Sequence, residues 1–209
     1  MIKYYLTFLA FLAIVAQSKA QSDQAAVTSA FETYKTSVQN SKGDITAKVA
    51  DSHTMAYFTK MIGIIKNADS VSVDSLPILD KYMVLLVRTK ATKLEIMGMD
   101  GKALMVYAVN KGIITPGSVA NNALGAITIT NNAAKAELLM NKKKTKYFLE
   151  FNKEHGQWKM DVSSLFRAAG MLIKEVQEDN GFTDNEFVES MMDGTGNSAG
   201  PNAWKKVNR

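Results

Sequence analysis

Residues 124–162 read LGAITITNNAAKAELLMNKKKTKYFLEFNKEHGQWKMDV, and the rhythm of that stretch decides the fold. Ile127 and Ile129 alternate with threonines, and Asn131-Asn132 supplies a turn. Ala134, Ala136, Leu138 and Met140 alternate next, up to the lysine knot Lys142, Lys143, Lys144 and Lys146. Tyr147, Leu149 and Phe151 form a third alternating run, with Phe148 breaking its polar face. Lys153 to Gly156 turns again, and Trp158, Met160 and Val162 form a fourth run. A period of two places every second side chain on one face of a strand. Turns this short force successive strands to pair antiparallel, so the stretch predicts a four-stranded meander. The lysine knot reads as a solvated hairpin tip rather than a nucleic-acid contact.

Upstream, the period is that of a helix. Val27, Phe31, Tyr34 and Val38 fall on one face. Gly43 stops that helix, and Asp44 offers a cap for a short one through Ala50. Met55, Phe58, Ile62 and Ile65 mark a second long helix from about Ser52, and Val71 to Val73 reads as an extended link. Ser75 to Pro77 opens another, with Leu79, Met83, Leu86 and Val87 as its apolar stripe. Thr92 to Lys111 is ambiguous. Asp100-Gly101 signals a hairpin, yet Asp100 is also a good cap and Leu104, Tyr107 and Ala108 sit at helical spacing, so two short helices are favoured. Pro116 and Gly117 close the region. Downstream of the meander, Leu165, Ala169, Leu172 and Val176 define an amphipathic helix, and Thr183 or Asp184 caps a last one.

These elements predict an α+β fold: a helical N-terminal half packed against a curved four-stranded antiparallel meander, followed by C-terminal helices. A single domain spans residues 21–192, with helices over 23–111, the sheet over 126–162 and helices over 164–192. Residues 193–209, rich in Gly, Asn and Ser, form a flexible tail.

Residues 1–20 read as a secretory signal. Lys3 precedes an apolar run, Tyr4 to Ala16, and Ser18 and Ala20 place small side chains ahead of a cut before Gln21. Thirteen residues fall short of the roughly 20 needed to span a bilayer. The expected destination is the periplasm or cell exterior, with no membrane span after cleavage. Losing Lys3 and Lys19 lowers the net charge from +5 to +3. Cysteine is absent, which excludes disulfides and a thioether lipid anchor.

The segment around Gly156, Trp158 and Lys159, from Ala134 to Leu165, resembles the terminal hairpin of the nuclear-transport-factor-2-like (cystatin-like) cone superfamily. The resemblance implies a curved sheet wrapping the first helix, and its open end would be lined by Phe31, Tyr34, Tyr57, Tyr147, Trp158 and Met160. The helices between Ser75 and Gly112, and those after Leu165, depart from the compact family pattern.

Candidate chemistry is sparse. The chain has two histidines and no cysteine, which leaves a zinc site without its usual ligands. His155 reads as an exposed turn residue. Asp51-x-His53 is a possible general-base pair, although Asp51 or Ser52 serves equally well as a helix cap. Met97, Met99, Met191 and Met192 read as core filler rather than copper ligands. No nucleophile elbow, zinc-protease helix, phosphate loop or calcium loop is present. The expected function is thus an exported, non-catalytic protein that binds a small molecule or an envelope partner protein, with no cofactor and no metal. The alternative is an enzyme resembling the superfamily's isomerases and dehydratases, with Asp51 or His53 as base and Tyr34 or Tyr57 stabilising an oxyanion. Asp161 alternates to the face opposite Trp158, so it is not expected to face inward.

Overall fold

A computed structural model of the chain describes the backbone of residues 2–207 and the side chains of residues 21–207. The apolar run and cut site read as a secretory signal therefore lie outside the described side chains. Helix α1 (Ile2–Gln39) is followed by α2 (Gly43–Val49), α3 (Ser52–Asn67), α4 (Ser70–Asp74), α5 (Ile78–Lys90), α6 (Lys93–Gly98), α7 (Gly101–Asn110) and α8 (Gly117–Ala120). Strands β1 (Asn122–Thr130), β2 (Ala133–Met140), β3 (Lys143–Glu154) and β4 (Gln157–Asp161) come next, then α9 (Val162–Asp179) and α10 (Asp184–Gly194). The α+β class is as the periodicity predicts, with one antiparallel sheet in the order β1-β2-β3-β4.

Tight turns hold the meander. Asn141 and Lys142 both take positive φ, as do His155 and Gly156, the paired geometry that matches a two-residue turn to strand twist. The sheet starts at Asn122, four residues before the expected 126, because a bulge between Leu124 and Ile127 resets the alternation. Ala134, Ala136, Leu138, Leu149, Phe151, Trp158 and Met160 form the buried face. Against it lies α1, which meets both edge strands through the stripe Val27, Phe31, Tyr34 and Val38. The sheet curls round α1 without closing.

Capping explains the helical layer. Asp100 accepts from the Ala103 amide, which starts α7 and removes the hairpin alternative. Gly101 is required there: a Cβ would fall 2.4–2.9 Å from Thr59 atoms of α3. Thr92 and Glu95 form a reciprocal capping box on α6. Three local expectations are corrected. Val71–Val73 is helical rather than extended, because Asp69 caps it by accepting from the Ser72 amide and hydroxyl. Asp44 lies inside the first turn of α2 rather than capping it, and no side chain caps that helix. The segment after Pro116 forms the short α8. Part of the 193–209 segment expected as a flexible tail packs on the body. Ala203 is buried, and its carbonyl accepts from Arg88, whose guanidinium also donates to the carbonyls of Ile64, Ile65 and Ala68.

One polar junction joins the layers. Asp51 caps α3 through the Thr54 amide, and its own amide donates to the Met160 carbonyl at 3.0 Å. Thr54 Oγ1 accepts from the Val162 amide at 2.8 Å and donates to Asp51 Oδ1. Both Asp51 and Thr54 are buried, so removing the hydroxyl strands the Val162 amide away from water and costs Asp51 Oδ1 one of its two donors. Thr54→Val is expected to lower unfolding stability by about 2 kcal/mol, the penalty for orphaning buried polar groups. Urea titration with an unchanged m-value checks this, and a loss under about 0.5 kcal/mol would contradict the role given to Thr54.

Candidate functional site

Two regions compete, one polar and one apolar. The polar cleft lies over the outer face of β3 and is lined by His53, Lys135, Glu150, Asn152, Asp161, Ser163 and Arg167, among others. Asp51 sits behind it as the cap of α3. Its Oδ2 accepts from Asn152 at 2.8 Å and meets His53 Nδ1 at 3.1 Å. That hydrogen bond, then the carboxylate's charge, raises the His53 pKa against a smaller opposing effect of desolvation, with Asp161 and Glu154 adding to the rise. The pair therefore stabilises the fold fully below the imidazole's ordinary pKa and loses that contribution as pH climbs through the raised value. The His53 side chain is 68% exposed, which puts it in bulk water where such a pair contributes little.

The rest of the cleft is internally satisfied. Asp161 caps α9, accepting from Ser163 Oγ and the Ser164 amide, and its other oxygen accepts from Arg167 at 3.0 Å. Arg167 also reaches Glu150 at 3.1 Å and Ser163 Oγ at 2.8 Å. Asp161 is buried, in contact with the helix that follows it. No tyrosine hydroxyl enters the cleft. Of the four residues considered for catalysis, Asp51 and His53 meet, while Tyr34 and Tyr57 belong elsewhere. Among the described residues no cluster of three or more His, Cys, Asp or Glu side chains is arranged to hold a metal ion.

The apolar region is a cavity of about 430 Å³, partly open to the surface, between α5, α9, α10 and the segment from Ile113 to Ser118. Small-molecule sites generally measure roughly 300–1,000 Å³ with apolar walls and a few polar tips. Leu79 and Met83 of α5, Leu165 and Phe166 of α9, and Met191 of α10 supply much of the wall, and no charged side chain contributes. Aromatic packing stiffens one side, with Tyr57 and Phe166 rings 5.6 Å apart and both touching Phe58.

Three tyrosines line the cavity: Tyr34, Tyr57 and Tyr82. The Tyr57 hydroxyl donates to Asp80 at 2.7 Å, and burial followed by the aspartate's charge drives its pKa far up. Tyr82 is half-buried, and burial raises its pKa, with the neighbouring Thr195 side chain offsetting part of that rise. Tyr34 differs. It is fully buried, and among the described residues its hydroxyl is the one buried side-chain polar atom without a hydrogen-bond partner. Burial alone raises its pKa far above the ordinary phenol value, so the group stays protonated.

Of the six residues expected to line a pocket, Tyr34 and Tyr57 line this cavity, and Trp158 lines a separate groove beside Asp23 and Lys153. Phe31 and Met160 are filled core between α1 and the sheet. Trp158 is buried, with its indole N–H donating to Asp23 at 2.8 Å, and the Tyr147 hydroxyl reaches Glu175 at 3.3 Å. The space expected on the sheet's concave face is thus occupied, and the cavity opens among the helices instead. Sequence reasoning placed Met83 and Met191 on inward stripes without assigning them to a site, and it missed Tyr82, Ile114 and Phe166. The one available signal was the hydroxyl residues Thr115 and Ser118 beside an apolar pair. No protein-family model, curated protein or solved structure matches the chain.

An unpaired buried hydroxyl destabilises the protein that carries it. Tyr34→Phe is expected to raise stability by about 1 kcal/mol, the lower end of the desolvation penalty. That is a rise of roughly 2–4 °C in thermal midpoint for a chain of this size. A fall in midpoint would mean that the hydroxyl has a partner in solution.

Proposed function

We propose that this is an exported, non-catalytic protein whose helical layer binds an apolar small molecule. The observation that carries the reading is the pocket of about 430 Å³ lined by no charged side chain, whose wall includes Tyr34, a residue with an unpartnered buried hydroxyl. Burial of a mostly hydrocarbon ligand against such apolar walls gains about 25 cal/mol per Å² removed from water. Export rests on the sequence pattern before Gln21. Among the described residues no helix is long and apolar enough to cross a membrane.

The isomerase or dehydratase reading has less support. It needs a base and a tyrosine hydroxyl in one enclosed site, whereas the Asp51–His53 pair is on the polar cleft and the tyrosines surround the apolar cavity. The likeness to nuclear-transport-factor-2-like cones remains a proposal, supported by the curl of the sheet about α1.

Two measurements test the proposal. Protein recovered from outside the cytoplasm should begin at Gln21 by intact mass, and a Met1 terminus contradicts export by cleavage. The neutral probe N-phenyl-1-naphthylamine should brighten on adding this protein and saturate at one equivalent. Ala169→Phe, which fills the cavity from α9, should abolish that signal while leaving the circular dichroism unchanged. Equal brightening with both proteins would place the probe elsewhere and defeat the reading.

A further inference from the structure

The chemistry of the cavity wall narrows the ligand class. Among the described residues no Asp, Glu, Lys or Arg lines it. A carboxylate or ammonium seated there would be buried without a counter-charge, which is strongly unfavourable. The wall's hydroxyls divide into engaged and unengaged. Tyr57 is committed to Asp80, Ser118 Oγ donates to the Thr115 carbonyl and Thr195 Oγ1 to the Met192 carbonyl, while Tyr82 is only half-buried. Tyr34 alone among the buried groups has nothing to bond.

The position of Tyr34 matters as much as its isolation. It is the one described α1 residue in the wall, while its stripe neighbours Phe31 and Val38 stay buried in the core. The hydroxyl is closed to water, so a ligand meets it by displacing wall side chains. Met83 and Met191, both in the wall, are unbranched and adapt readily. A native fold that retains an unsatisfied donor in a cavity wall is explained if a bound molecule satisfies it.

We infer that the ligand is an uncharged, mostly hydrocarbon molecule bearing one acceptor oxygen, such as a ketone, which accepts a hydrogen bond from Tyr34. This rests on the small-molecule reading above and adds the ligand's polarity and its anchor.

Displacement of N-phenyl-1-naphthylamine from the mature-length protein tests it with three probes of one skeleton: 2-acetylnaphthalene, 2-ethylnaphthalene and 2-naphthoate. Tyr34→Phe should weaken the ketone about tenfold relative to the hydrocarbon, the equivalent of one net hydrogen bond. The hydrocarbon should bind both proteins equally, and the carboxylate should compete at least tenfold more weakly than the ketone in the wild type. A thermal midpoint for Tyr34→Phe at or above that of the wild type shows that the variant is folded. If the ketone-to-hydrocarbon ratio is the same in both proteins, or the carboxylate competes as well as the ketone, this inference is overturned while the cavity remains a binding site. If the fluorescent probe itself fails to bind, the small-molecule reading falls and this one with it.

Discussion

The junction at Asp51 and Thr54 is the constraint on which the layered arrangement rests. Helices and sheet meet elsewhere largely through apolar surfaces, which specify area but not position. At this point α3 begins, β4 ends and α9 begins, and the three are joined by hydrogen bonds with fixed directions. A single parallel bridge between Ala50 and Met160 sets the register of the helical half against the meander. The Thr54 hydroxyl then serves both sides, accepting from the start of α9 and donating to the cap of α3. Slippage by one residue would turn the buried face of β4 outward, so the bond pattern and the apolar pattern enforce one another.

Fixing α9 at that point also decides where empty space can exist. The helix leaves β4 beside β3, and its Ser164 hydroxyl accepts from the Glu150 amide, which covers an edge that β4 is too short to pair. From there α9 crosses towards α5 and α10. Large residues on the sheet face close the space around α1, but the splay of α5, α9 and α10 leaves the apolar cavity. The polar cleft on the other side is the residue of the same junction. Asp51 and Asp161 are buried there as helix caps, and His53, Asn152 and Arg167 satisfy their remaining oxygens.

The meander was readable because alternation over four consecutive runs has no helical equivalent. Caps such as Asp100 were readable because the side chain acts within three residues of itself. Val71–Val73 misled because β-branched residues favour strands in isolation, while Asp69 two residues earlier decides the matter locally. The cavity could not be read at all. Tyr34 sits in the same stripe as Val27, Phe31 and Val38, and periodicity assigns a side chain to a face without saying whether its tip has a neighbour. Whether a tyrosine fills a core or lines a hole depends on the spacing of α5, α9 and α10, elements 40 to 160 residues away in the chain.

Arg88 shows how the end of the chain is secured without any acid. Its guanidinium gathers carbonyls from the last turn of α3 and from Ala203, where the partial negative charge of a helix terminus serves as the counter-ion. Peptide oxygens do not titrate between mild acid and mild alkali, and a guanidinium stays charged there. The clasp is thus indifferent to external acidity, in contrast to fastenings built on carboxylates. The segment after α10 therefore stays closed over α5 across that whole range of acidity.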